Sequence, residues 1–162
     1  MNVKRILFPT DFSHYNDAAL EYASTLAAEA GATLYIVHVD ERYDVSAAMG
    51  EAGYVYPLAF DSDDRSEVRD RLSRVVPTIS SVRYEHHYLQ GSPLVEIVKF
   101  ANHERIELIV MASHGRTGLS RLVMGSIAEG VMRRAPCPVL VVKQPEETPE
   151  PVYDPTSHVL QE

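Results

Sequence analysis

The stretch Met111–Ser126, MASHGRTGLSRLVMGS, carries three glycines, two arginines and no acid, in a chain whose formal charge is -8. Gly115 and Gly118 can turn the backbone through positive φ and present N–H groups with no side chain in the way. Gly125, Ser126 and Ile127 open a helical pattern, and the start of a helix offers unpaired N–H groups and a partial positive charge to an anion. Ser126 adds a hydroxyl, Arg116 and Arg121 add positive charge, and His114 lies within reach of a phosphate or a proton relay. Together these residues suit phosphate groups. The spacing matches neither G-x-x-x-x-G-K-S/T nor G-x-G-x-x-G, so the Walker loop and the dinucleotide fingerprint are absent. From the residues alone, a nucleotide loop and a purely structural turn both fit.

A second candidate segment is Pro9-Thr10-Asp11. A carboxylate is a poor neighbour for phosphate but a good acceptor for ribose hydroxyls. If Asp11 faced the glycine-rich stretch, sugar on one side and phosphates on the other would make a nucleotide site.

Whether they face each other depends on the elements that carry them. Ile6-Leu7-Phe8 reads as a first strand ended by Pro9, and Ser13 as the cap of a helix. That helix has Ala19, Leu20, Ala23, Leu26, Ala27 and Ala30 on one face, with Gly31 as its stop. TLYIVHV (Thr33–Val39) is nearly all apolar, as a strand covered on both faces should be. A second helix is expected between Ser62 and Val76, with Pro77 beyond it. VRYEHHYL (Val82–Leu89) alternates and is polar, which suits a sheet edge. Ser92-Pro93 opens a helix with Leu94, Ile97, Val98 and Ala101 at helical spacing. LIVMA (Leu108–Ala112) is another buried strand. A helix over Ser126–Arg134 should turn Ile127, Ala128, Val131 and Met132 inward, and PVLVV (Pro138–Val142) closes the pattern.

This alternation predicts an α/β fold, a Rossmann-like doubly wound sheet of five parallel strands with helices on both faces. Right-handed crossovers and central placement of the most apolar strands favour the order 3-2-1-4-5. The chain order then reverses between strands one and four, where such sheets bind ligands at the strands' carboxyl ends. Pro9-Thr10-Asp11 and the glycine-rich stretch are the two loops at that point. The link Asp40–Phe60 is long enough to be a lid, a binding loop or a further short helix. Residues 144–162, with Pro145, Pro149, Pro151 and Pro155, read as an acidic, proline-rich tail following a domain over 1–143.

Three segments, RILFPTDFS (Arg5–Ser13), HVDE (His38–Glu41) and ASHGRTGLSRLVMGSIAEGVMRRAPCPVLVVK (Ala112–Lys143), resemble the universal stress protein family, and the resemblance runs from Val3 to Lys143. ATP-binding members carry G-x-x-G, nine residues, then G-S/T. Gly115, Arg116–Met124 and Gly125-Ser126 match that spacing, whereas Ala112 replaces the first glycine and adds a methyl where backbone is expected to approach the ribose or α-phosphate. The resemblance implies ATP as ligand, Asp11 at the ribose, backbone at Val39 beside the adenine, and Pro9 shaping the adenine pocket. Magnesium or manganese would arrive with the nucleotide, bound mainly by phosphate oxygens and not by a protein cage. It also implies a homodimer through Val139–Val142, a strand whose position at a sheet edge invites pairing. The competing expectation is that the tail covers this edge.

Composition narrows the field further. Five of the acids (Glu146, Glu147, Glu150, Asp154 and Glu162) lie in the tail with no base among them, which leaves -3 for the rest. A chain with negative net charge and no basic face is a poor generic nucleic-acid binder. A single cysteine, Cys137, fits a reducing compartment, and no apolar run approaches the ~20 residues that span a bilayer. The expectation is therefore a cytoplasmic protein without nucleic-acid or membrane partners.

Other residues yield to plainer readings. His38 suits a hydrogen-bonded core position. His86 and His87 are adjacent on a strand, so they point to opposite faces and cannot readily share a metal. Cys137, between two prolines, reads as a small buried residue at the entry to the last strand, with a reactive thiol as the alternative. Arg133 and Arg134 sit in the last turn of a helix, where cations are favoured without a ligand. No G-x-S-x-G elbow or zinc spacing occurs. The functional expectation is an ATP-binding regulatory or protective module of the stress response. Its rivals are a slow ATPase or phosphotransferase, with His114 as the one nearby group to orient water, and a nucleotide-free scaffold whose tail and 40–60 link bind a protein partner.

Overall fold

Strand β1 (Arg5–Pro9) buries every residue from Ile6 to Pro9, because it lies in the middle of a sheet covered on both sides. It pairs in parallel with β2 (Thr33–Asp40) on one side and with β4 (Leu108–Ala112) on the other. Beyond β2 lies β3 (Arg83–Gln90), and beyond β4 lies β5 (Val139–Val142), so the order is β3-β2-β1-β4-β5 as expected. The computed structural model describes residues 3–41, 62–113 and 124–144. Most of the 40–60 link, residues 114–123 of the glycine-rich stretch, and the tail from 145 onward lie outside them.

The period-2 alternation of the strands divides the core in two. Ile6, Phe8, Leu34, Ile36, Val110, Ala112 and Val142 face α1 (Asp17–Ala30) and α2 (Ser62–Ser73). Leu7, Val37, Val39, Ile109 and Met111 face α3 (Pro93–His103) and α4 (Ser126–Arg134). Helix α1 presents Ala19, Ala23 and Ala27 to the sheet, and such small residues let it lie close over the strands. It ends on Gly31, whose φ of 60° is the left-handed stop that glycine adopts at no steric cost. The amides of Gly31 and Ala32 then bond back to Ala28 and Ala27, which satisfies the last turn of the helix.

Several local expectations are corrected. Ser13 does not cap α1 directly; it precedes a single 3-10 turn, His14–Asn16, that leads into the helix. Helix α2 stops at Ser73, earlier than Val76. On α4, Ala128 and Val131 are buried, but Ile127 and Met132 are more than a third exposed. At 100° per residue these two lie on the flanks of the Ala128–Val131 stripe, and a nine-residue helix over the outermost strands has little to cover its flanks. On α3, Phe100 is buried in addition to Ile97 and Ala101.

Helix α2 is the most polar element, and among its described side chains Leu72 alone is buried. Two arginines help to hold it: Arg69 lies 5.3 Å from the centroid of the Tyr88 ring and Arg71 lies 4.7 Å from that of Phe12. Leu72→Ala should therefore cost about 2–4 kcal/mol in chemical denaturation, with the helix loosened from the sheet. Cys137, half-buried ahead of β5, has its thiol pushed above the ordinary value by burial, an effect only partly opposed by a backbone hydrogen bond from Ile109. Because the thiolate is the nucleophile, alkylation of Cys137 should lag behind that of a free thiol at pH 8.5 and close the gap as pH rises further.

Candidate functional site

At the carboxyl edge of the sheet, β1 runs out into Thr10 and Asp11. The Thr10 amide donates to the Val37 carbonyl at 2.8 Å, extending the β1–β2 ladder by one bond. The Thr10 hydroxyl oxygen accepts from the Phe12 amide at 3.1 Å, and the residue is buried. Asp11 is half-buried, and its Oδ1 accepts from the Ser13 amide at 2.9 Å and from Asn16 Nδ2 at 2.5 Å. Asn16 in turn donates to the Ser13 carbonyl and hydroxyl. One oxygen of the candidate ribose carboxylate thus also builds the turn that starts α1, a local use of short polar side chains.

Between Asp11 and Ser13 sits Phe12, with φ of 64°. A bulky residue in the left-handed region is uncommon, and the surroundings must hold it there. The Phe12 ring stacks on His38 at 4.1 Å between centroids. His38 is buried, and its Nδ1 lies 2.8 Å from the Thr10 carbonyl oxygen. A carbonyl only accepts, so Nδ1 is the donor. The core reading of His38 is correct, but its partner lies in the candidate site loop, which the sequence did not reveal. Val39, next along β2, points the other way, into the core under α3.

The second half of the site follows β4. Ala112 is buried with Phe8, Val110 and Val142 on the α1 side, the face opposite α4. The methyl that replaces the family glycine is therefore accommodated in the core. Ser113 continues the ladder by donating to the Val142 carbonyl at 2.9 Å, and its own carbonyl accepts from the Gly125 amide at 2.8 Å. The two ends of the glycine-rich stretch are thereby pinned together. Gly125 is extended ahead of α4 and has no side chain with which to cap it, while Ser126 and Ile127 are exposed at the helix start. His114, Gly115, Arg116, Gly118 and Arg121 lie outside the described residues. Pro9, Thr10 and Asp11 leave β1, and Ala112 leads through Ser113 to Gly125, at neighbouring strand ends where the strand order reverses.

A separate cavity of about 420 Å³ opens on the other face, between the start of α1 and residues 71–76, with Phe8, Thr10, Phe12, Asn16 and Arg71 among its walls. Among the described residues, no three His, Cys, Asp or Glu side chains are grouped to hold a metal ion. His86 reaches the Val75 carbonyl on the α2 side, whereas His87 packs near Tyr35 and Phe100 on the α3 side, as expected of adjacent strand positions. Arg133 pairs with Glu129 one turn earlier. No described helix is long and apolar enough to cross a membrane.

Comparison with known proteins agrees with this architecture. The chain is 35% identical over 147 residues to the universal stress protein MJ0531 of Methanocaldococcus jannaschii, covering 89% of this chain and 84% of that one. It is 32% identical over 142 residues to the universal stress protein A homolog 1 of Coxiella burnetii, covering 88% and 97%. The solved structure of protein MJ0577 superposes with a TM-score of 0.70 at 26% identity, over 90% of this chain and 99% of that one. A universal stress protein from Archaeoglobus fulgidus, solved in complex with dAMP, gives 0.62 at 25% identity, over 87% and 98%. The family model of the universal stress proteins matches residues 2–143, and with the sheet order and these relatives it follows that the chain belongs to the universal stress protein family.

Proposed function

We propose that this chain binds ATP, with magnesium or manganese carried on the phosphates, in the crevice between the ends of β1 and β4. The observation that carries this reading is the meeting, at one sheet edge, of a carboxylate after β1 and an uncapped glycine-led helix start after β4. The relative solved with dAMP and the Gly115 to Gly125-Ser126 spacing support it. The described residues fit the ligand: the Ala112 methyl turns into the core, and Gly125 leaves the first amides of α4 without a side chain in front of them.

In this reading Asp11 accepts hydrogen bonds from the ribose, and Pro9, Thr10 and the backbone of Val39 border the adenine. The amides of Gly125, Ser126 and Ile127 receive phosphate oxygens together with those of Gly115 and Gly118, and Ser126 adds its hydroxyl. Arg116 and Arg121 offset the remaining negative charge, and His114 contacts a phosphate. Nothing in these roles requires hydrolysis. The nucleotide acts by occupancy: it favours the conformation it fits, and the module serves a regulatory or protective role in the cytoplasmic stress response. Two copies pair through Val139–Val142, where β5 is an edge strand of the sheet and Leu140 is 38% exposed.

ATP with magnesium at a hundredfold excess over its Kd should stabilise the folded state by about 2.7 kcal/mol, a melting shift of roughly 5–10 °C for a chain of this size. Absence of any shift at millimolar ATP would overturn the reading. The informative change at the ribose is Asp11→Asn, since it keeps an acceptor for the Ser13 and Asn16 donors but removes the charge. It should weaken ATP binding about tenfold by calorimetry while leaving the ligand-free melting temperature nearly unchanged. Asp11→Ala should lower both. For the dimer, Leu140→Glu should convert the protein to a monomer by light scattering, because the new charges would meet across the strand pair; a wild type already monomeric at micromolar concentration would remove this interface.

A further inference from the structure

The nucleotide reading assigns roles to the residues that face the ligand, but it leaves His38 and Phe12 unused. Both sit on the α2 side of the sheet, behind the loop that carries Asp11. His38 donates from Nδ1 to the carbonyl of Thr10, and its ring stacks on Phe12 with 29° between planes. The Phe12 ring also lies 4.7 Å from the Arg71 guanidinium of α2. Thr10 and Phe12 are the two neighbours of Asp11, so one buried imidazole holds the chain on both sides of that carboxylate. The contact with Thr10 is polar and directional. The contact with Phe12 holds a side chain whose left-handed backbone would otherwise relax toward commoner conformations.

We propose that His38 and Phe12 are positioning residues for the nucleotide crevice: together they set the loop Thr10–Asp11–Phe12 in its binding geometry before the ligand arrives. The inference rests on the reading of this crevice as an adenine-nucleotide site. Its physical basis is preorganisation, since a loop already in its bound form loses less freedom on binding. Neither residue touches the nucleotide, and their effect reaches it through the backbone on either side of Asp11.

The test separates this role from simple support of the core. His38→Leu removes the donor, whereas His38→Asn retains an N–H close to the place of Nδ1 and can still reach the Thr10 carbonyl. Both lose the stack on Phe12, so both should lower the ligand-free melting temperature. Calorimetric titration with ATP and magnesium, and separately with dAMP, should show binding weakened about tenfold in His38→Leu but within about threefold of wild type in His38→Asn. Phe12→Gly serves as the second variant. Glycine accepts the left-handed φ without strain but removes the ring and frees the backbone, and both changes undo the preorganisation, so a loss of about tenfold is expected. Equal affinity in wild type and His38→Leu, or equal losses in the Leu and Asn variants, would overturn the positioning role while leaving the nucleotide site standing. A wild type that binds neither probe would overturn the nucleotide site itself, and this inference with it.

Discussion

Strand β1 is hydrogen-bonded on both sides, and the placement of every other element follows from that position. The strand can occupy the centre because Ile6, Leu7 and Phe8 are apolar on both faces of the pleat, each with no exposed surface. From β1 the chain crosses over α1 to β2 on one side, and later reaches β4 on the other. The helices of the two halves consequently lie on opposite faces, and the loops after β1 and β4 diverge. The proposed crevice lies at that divergence. At the opposite edge, Glu107 reinforces the same pairing: its Oε2 accepts from the Lys4 and Arg5 amides, while its own amide donates to the Arg5 carbonyl.

Helices α1 and α2 share one face of the sheet but are held to it differently. Helix α1 packs through alanines and through a buried Ser24, whose hydroxyl donates to Leu20 and accepts from the Thr78 amide. Helix α2 is fastened by Leu72, with ring contacts from Arg69 and Arg71. Such contacts are weaker where solvent reaches them. Helix α2 lies beside the loop that carries Asp11, with Arg71 against the Phe12 ring.

The crevice itself is asymmetric. On the β1 side the loop is structured by short polar contacts: Thr10 to Phe12, Asp11 to Ser13 and Asn16, and His38 to Thr10. On the β4 side, a backbone bond from the Gly125 amide to the Ser113 carbonyl joins the two described ends of the stretch. The proposed nucleotide would place its sugar on the β1 side, where these polar contacts fix the backbone. Asp11 lends one oxygen to this turn, so under the proposed function changes there mix stability with binding.

The linear order of residues determined which segments become strands and helices and how the strands are ordered. Hydrophobic period, glycine stops and the apolar character of β1, β2 and β4 are local properties that survive without tertiary context. The same holds for the candidate loops, because glycines before a helix and an acid after a strand can be read from neighbours in the chain. Tertiary packing alone decided which flank of α4 stays uncovered, that the Ala112 methyl is absorbed into the core, and that Glu107 anchors β1. It also decided that His38, 28 positions away in the chain, holds the Thr10 carbonyl. These outcomes depend on which atoms from distant segments compete for the same space and the same hydrogen bonds, and no spacing along the chain encodes that competition.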